Sequence, residues 1–393
     1  MRRLLVPVLV LVALLAGITL GGHPESLPGF VRDAFVGDED TRVVSEAIEE
    51  ISASYYRKVP KDELADAAVA GAVDSLEDRF SNYLNPEDYR RFQNSSQNAY
   101  EGVGMEVRPI KAGLRVVDTY DGSPARRAGI KSGDVITAVN GKSLAGEAAK
   151  TGSERIKGPP GTKVTLTVRT DGKERKLVVS RARVTVPVVA SKMRTSGGEK
   201  LGVVRLAGFT SGAHGEVGKA LKKLEADGAK GFVLDLRGNG GGLVSEAQLV
   251  ASAFLDGGVI VSTKGRSVEG RTLRAEGDPV VGKDVPVVVL VDKNTASASE
   301  IVAGALQDRD RATIVGVKTF GKGVFQQIIS LTNGGALDIT AGQYFTPKGR
   351  NLGGKGVKTG SGIEPDIAAK DRVKTKADEG LDKALEVLAD KLL

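Results

Sequence analysis

Two residues of this chain have types and surroundings suited to nucleophilic chemistry. Ser297 lies in N-T-A-S-A-S-E at the mouth of an expected helix, and Lys322 lies in T-F-G-K-G just ahead of an expected strand. A serine hydroxyl attacks a carbonyl only when a neighbouring base takes its proton. The usual base is nearly missing. There are two histidines, His23 at the end of an apolar leader and His214, which opens an expected helix and reads as an exposed helix-start residue. With no cysteine in the sequence, thiol chemistry, a disulfide and a cysteine-ligated zinc site are all excluded. One downstream histidine is also too few for an H-E-x-x-H metal site. The pair therefore reads as a hydrolase whose base is a lysine.

Each motif has a plainer reading. Ser297 and Glu300 fit the S-x-x-E capping box, which needs no catalysis, and Thr295 and Ser299 are as exposed as Ser297 by the same logic. For catalysis, the helix start after Val285 to Val291 would aim unpaired N–H groups at a developing oxyanion. A second glycine-rich corner, R-G-N-G-G-G-L, follows another apolar run and could supply the other half of that hole. It is not a dinucleotide loop, because G-x-G-x-x-G would need glycine where Leu243 stands. Gly316, Gly321 and Lys322 match G-x-x-x-x-G-K, but Gly323 cannot hold magnesium and a strand pattern follows where a phosphate loop needs a helix. A loop lysine is ordinarily solvated. To act as a base, its pKa must fall from about 10.4 to near neutrality, a cost of about 4 kcal/mol that an apolar site can supply. In an extended strand Gln326 shares a face with Lys322 and offers it a neutral partner.

The elements that must position these groups are legible as patterns. Met1-Arg2-Arg3 and the uncharged run Leu4 to Leu20 form an export leader, read over 1–22 as a signal peptide or membrane anchor. Val43, Val44, Ala47, Ile48, Ile51 and Tyr55 fall at helical spacing, and a second stretch runs from Asp62 to Leu76. This helical arm, 38–98, is too short to bury its own apolar faces, so it should pack on the main body or on a second copy of itself. From 99 to 183 short alternating runs and turn signals give a β-rich module. From 184 to 371 strands alternate with helices as an α/β core, ending in a hairpin at T-N-G-G, and an amphipathic helix with Leu381, Leu385 and Leu388 closes the chain over 372–393. The composition, 40% hydrophobic and 27% charged, is globular. The net charge of +7 is dispersed and aromatics are only 4%, so stacking surfaces for nucleic acid are poor.

Taken together, the blocks V-L-D-L-R-G-N-G-G-G, N-T-A-S-A-S-E-I, T-F-G-K-G-V-F-Q-Q and G-I-E-P-D resemble, in order and spacing, those of the carboxy-terminal processing peptidases, or tail-specific proteases. These are serine endopeptidases with an embedded PDZ domain. The resemblance runs from about 40 to 370. It implies a multidomain α/β protease with Ser297 as nucleophile, Lys322 as general base, Gln326 positioning the lysine, and the Gly241 and Ala298 amides as oxyanion hole. It also implies no metal or organic cofactor. One departure stands out: the family usually has proline where Gly240 lies, which makes the loop looser here. The β-rich module is similar to a PDZ domain, with S-P-A-R-R-A-G-I-K-S-G-D-V-I-T-A-V-N-G as its most recognisable stretch. The N–H groups of Gly102, Val103 and Gly104 would then hold the carboxylate of a protein's C-terminal tail, which adds as an extra strand. The expected protein processes such tails in the cell envelope, contacts the membrane through its leader and self-associates through the arm. The competing reading is a peptide-binding scaffold that does not cut.

Overall fold

The structure, a computed structural model, describes residues 39–96, 99–354, 362–371 and 377–393. The leader lies outside the described residues. No helix among the described residues is long and apolar enough to cross a membrane.

The chain divides into two units, with the boundary after Asp78. Within the first, α1 (Glu39–Ser54) and α2 (Lys61–Asp74) form the expected arm. Pro60 stands at the N-cap of α2 and Asp62 and Glu63 fill its first turn, where they complement the positive end of the helix. Within this unit Val43, Val44, Ile51, Tyr55, Tyr56 and Leu76 are exposed.

The second unit opens with β1 (Asn82–Leu84) and α3 (Pro86–Ser96). The β-rich module follows with β2 (Ala99–Gly102), β3 (Met105–Ile110), β4 (Gly113–Thr119), α4 (Pro124–Arg127), β5 (Val135–Val139), β6 (Lys142–Ser143), α5 (Ala149–Ile156), β7 (Lys163–Thr170), β8 (Lys173–Ser180) and β9 (Ala182–Thr185). Its main sheet runs β3-β4-β5-β7-β8, with β6 on β5, and β2 pairs with β9. Val164, Leu166 and Val168 of β7 are buried while their neighbours are less so, the period-two pattern of a sheet with one wet face.

The α/β core comprises β10 (Val189–Ser196), β11 (Glu199–Leu206), α6 (Ala213–Ala226), β12 (Gly231–Asp235), α7 (Val244–Ser252), β13 (Val259–Gly265), β14 (Thr272–Arg274), β15 (Val287–Val291), α8 (Ala298–Asp308), β16 (Thr313–Gly316), β17 (Val324–Ser330), β18 (Ala336–Phe345), β19 (Ile367–Ala368) and α9 (Glu379–Asp390). Its main sheet runs β10-β11-β12-β15-β16-β19, parallel from β11 onward. Val217, Leu221, Val250 and Ile301, from α6, α7 and α8, belong to one apolar cluster, and Leu385 and Leu388 of α9 to another with Leu201, Val233 and Val288. Burial on both faces explains why β12 and β15 are continuous apolar runs without alternation.

Two assignments shift. The closing helix is not a separate piece after the core, because it covers one face of the core sheet. Nor does the helical arm extend to residue 98: β1 pairs antiparallel with β18 across Asn82↔Asp338 and Tyr83↔Leu337, in a second sheet ordered β1-β18-β13-β14 with β17 on β18. Three residues are too few to reveal alternation in sequence. The predicted hairpin is present, with Ser330 opposite Ala336.

Candidate active site

The core sheet places its two glycine-and-serine corners side by side. β12 and β15 are adjacent and parallel, Asp235 opposite Leu290, so the loops leaving their carboxyl ends emerge together, where open α/β sheets bind ligands.

At the end of β15 the chain turns sharply. Ser297 has φ 57° and ψ −117°, a conformation that costs a non-glycine residue roughly 1–3 kcal/mol and persists only where its surroundings enforce it. They do so through backbone bonds. The Ser297 N–H donates to Glu300 Oε2 at 2.9 Å, and the Ser297 carbonyl accepts from the N–H groups of Glu300 (2.8 Å) and Ile301 (3.0 Å). The Glu300 half of the capping box is therefore formed, and the Glu300 amide is satisfied without the serine hydroxyl.

The ambiguity among the three hydroxyls resolves by burial. Thr295 and Ser299 are fully buried, and each donates to a backbone carbonyl, Thr295 Oγ1 to Leu236 O and Ser299 Oγ to Asn239 O, both at 2.9 Å. The expectation that they are as exposed as Ser297 fails, because both hydroxyls turn onto Leu236 and Asn239 of the neighbouring segment. Ser297 is only half-buried.

Glu300 is fully buried and is the hub of the site. Besides Ser297, its carboxylate accepts from Thr319 Oγ1 (2.5 Å), Gly321 N–H (2.7 Å) and Lys322 N–H (2.9 Å). Burial pushes its pKa up, and these four donors oppose the rise. Oε2 takes the amides of both Ser297 and Lys322, each at 2.9 Å, so the two backbone nitrogens lie within twice that distance of each other. One carboxylate thus joins the serine corner to the lysine loop. Sequence reasoning had assigned Glu300 only a capping role.

Lys322 is half-buried. Its Nζ donates to Gln326 Oε1 at 2.6 Å and sits 4.9 Å from the centre of the Phe80 ring. Gln326 Nε2 donates to Thr340 Oγ1 at 3.1 Å, and the Thr340 N–H is bonded to Ser81 Oγ at 3.0 Å. The expected Lys–Gln pairing is present, although Lys322 precedes β17 and the register shifts between Phe325 and Gln326, so strand alternation alone does not produce it; the strand next to β1 braces it. Tyr344, buried at 2% exposure, directs its hydroxyl toward Ser297 and Glu300 without a hydrogen bond of good geometry; burial raises its pKa well above the ordinary phenol value.

The glycine loop packs directly against the serine corner. Gly241 has φ 104°, and a Cβ there would lie 2.8 Å from Ala296 O and 2.9 Å from both Ala298 N and Ser297 Cβ, so only glycine fits. Asn239, fully buried, bridges the loops: its Nδ2 donates to Leu206 O (2.9 Å) and its carbonyl accepts from Ala296 N–H (3.0 Å). Its Oδ1 accepts from Gly241 N–H at 2.9 Å. The Gly241 amide is therefore engaged internally, whereas the Ala298 N–H has no hydrogen-bond partner among the described residues. Arg237 clamps the start of the loop, bonding Asp235 through Nε (3.0 Å) and Nη2 (2.8 Å) and Asp378 through Nη1 (2.6 Å).

His214 is exposed at the start of α6, as expected, with Nδ1 2.8 Å from Glu246 Oε2. Among the described residues, no cluster of three or more histidine, aspartate or glutamate side chains could hold a metal ion.

In the β-rich module, β3 and α5 wall a groove of about 260 Å³. The carbonyls of Val103 and Gly104 accept from Ala125 N–H (2.7 Å) and Tyr120 N–H (3.1 Å), while the amides of these two residues have no backbone partner among the described residues. Gly102 differs from them: it lies in β2, opposite Ala182 of β9.

Comparison with known proteins points the same way. Residues 200–369 match peptidase family S41, 115–170 a PDZ domain and 31–88 the N-terminal domain of the activating protease CtpB. The carboxy-terminal-processing protease of Bartonella bacilliformis is 38% identical over 323 residues, covering 80% of this chain and 72% of that protein. A Staphylococcus aureus protein named "Probable CtpA-like serine protease" is 37% identical over 311 residues, 78% of this chain and 62% of that protein. Among solved structures, the photosystem II D1 C-terminal processing protease matches with a TM-score of 0.52 and 28% identity, over 91% of this chain and 100% of that one.

Proposed function

Because the chain belongs to the carboxy-terminal-processing proteases of peptidase family S41, serine-type hydrolases, we propose that Ser297 is its nucleophile and Lys322 its general base. The observation that carries this reading is the single Glu300 oxygen shared by the Ser297 and Lys322 amides, which fixes the two backbones together. Ser297 attacks the scissile carbonyl, Lys322 accepts its proton and returns it to the leaving amine, and water then releases the acyl enzyme. Gln326, with a neutral carbonyl on Nζ, orients the amine without adding negative charge that would favour its protonated form. The Ala298 amide is the donor ready for the oxyanion; Gly241 joins it once its bond to Asn239 opens.

The substrate is a protein whose C-terminal tail adds along β3, with its carboxylate on the Val103 and Gly104 amides. Gly102, at the end of β2, is the third residue proposed for that carboxylate site. The basic, apolar leader supports an exported enzyme of the cell envelope, tethered or secreted, and the exposed apolar residues of α1 and of the segments just after α1 and α2 support self-association. Nothing in the composition favours nucleic acid.

Cleavage of a protein with an apolar, disordered tail tests the reading. Ser297→Ala and Lys322→Ala should each lower turnover by about 10³-fold or more. The parent should cut equally well with a chelator present and faster as pH rises. Either variant cutting at the parental rate would remove that residue from the mechanism.

A further inference from the structure

The tail groove already holds an acceptor of its own. Tyr100, on β2, lines it together with Val103, Met105, Ile156 and Lys157. The Tyr100 hydroxyl accepts from the Met105 N–H at 3.1 Å, the first amide of β3 and the next along the chain after those of Val103 and Gly104. The ring is held in place from two sides. It lies so close to Gly102 that a Cβ there would stand 2.8 Å from Tyr100 Cε2, and Lys157 Nζ sits 5.6 Å from the ring centre. Glycine at 102 is thus explained by the ring that covers it.

We propose that Tyr100 sets the affinity and carboxylate selectivity of the tail groove, its hydroxyl occupying the Met105 amide until a terminal carboxylate displaces it. This rests on the reading that the groove binds C-terminal tails. Burial raises the Tyr100 pKa, so the phenol is neutral at physiological pH and is a weaker acceptor than a carboxylate. An ionised chain terminus gains a charge-assisted bond by taking its place. A neutral carbonyl from an internal loop exchanges one ordinary bond for another and gains nothing. Lys157, held over the ring and lining the same groove, supplies a positive charge for the arriving carboxylate. Tyr100 therefore filters against neutral chain segments as well as weakening binding overall.

The test uses the full chain carrying Ser297→Ala and a fluorescein-labelled decapeptide with an apolar end, as free acid and as C-terminal amide, read by fluorescence anisotropy. The Tyr100→Phe variant keeps the ring and removes only the competing oxygen, so it should bind the free acid about five-fold more tightly than its parent. Equal or weaker binding would overturn the inference; weaker binding would mean that the hydroxyl donates to the carboxylate. Should neither protein prefer acid over amide, the tail-capture reading itself falls, and the inference with it. Hydrogen exchange gives a second readout. Without peptide, the Met105 amide should exchange faster in Tyr100→Phe than in the parent, and added peptide should restore its protection. An unchanged rate would show that the hydroxyl does not hold that amide.

Discussion

The serine corner and the tail groove both present backbone N–H groups from glycine-containing loops, yet they treat those groups in opposite ways. Around Ser297, the buried side chains of Glu300, Asn239, Thr295 and Ser299 lock the backbone through multiple bonds, and the Ala298 amide has no hydrogen-bond partner among the described residues. In the groove the Val103 and Gly104 amides lack backbone partners, and a single phenol hydroxyl meets the amides of Met105 and Gly104. A site that stabilises a transition state gains from donors that need no rearrangement at the moment of reaction, which the Ala298 amide satisfies and the Gly241 amide, bonded to Asn239 Oδ1, does not. A recognition site gains from an occupant that can be exchanged. The same backbone chemistry is rigid in one place and replaceable in the other.

Removing the hub should break this contrast most severely. Glu300→Ala leaves four donors unmatched in a dry site, so urea denaturation should show a loss of about 3 kcal/mol or more. Turnover in the surviving folded fraction should fall about 100-fold, because the corner and the lysine loop are no longer joined. Retention of both stability and turnover would mean that the lock is decorative.

A smaller effect, with a defined pH sign, is expected at the outer clamp. Hydrogen bonds from Arg237 hold the Asp378 pKa below the ordinary aspartate value of 3.8. A depressed carboxylate contributes stability above its unfolded pKa and loses it as pH falls through the folded one. The melting temperature of the parent should therefore exceed that of Asp378→Asn at neutral pH, and the gap should close as pH drops below about 3.8. A gap that stays constant under acid would sever the clamp from this pair.

The smallest change sharpens the comparison from the other side. Gly240 is exposed, has no positive φ and has open space where a Cβ would go, so it lies outside the lock although its neighbours 241 and 242 are confined. Gly240→Ala should stabilise the protein by about 0.5 kcal/mol by restricting the unfolded chain, visible as a small rise in denaturation midpoint. Destabilisation would show that the loop depends on glycine at all three positions.

Much of this was legible in sequence. The strand-to-helix corner at Ser297, the glycine corner after β12 and the hairpin at T-N-G-G each follow from local periodicity and turn chemistry, and Lys322 does meet Gln326 although it lies ahead of the strand. What stayed hidden was long-range. The partners of Glu300 at Thr319, Gly321 and Lys322 lie about twenty residues away, beyond the reach of any helical pattern, so only its cap was visible. β1 meets β18 across more than half the chain, and its three residues show no pattern of their own. Thr295, Ser297 and Ser299 are chemically alike on paper, and only burial against Leu236 and Asn239 separates them. Asn239, a polar side chain amid glycines, was the one missed residue with a local signal. Tyr100 carried no signal in sequence, because nothing in its neighbours announces which amide its hydroxyl meets.

The central claim, that Ser297 is a nucleophile activated by Lys322, is tested most directly by covalent capture. The parent is treated with a fluorophosphonate, the adduct is located by peptide mass spectrometry, and its rate of formation is followed against pH. The account predicts a single adduct on Ser297, forming faster as pH rises and slowed by about 10³-fold in Lys322→Ala. An adduct on another residue, or labelling of Lys322→Ala at the parental rate, would contradict it.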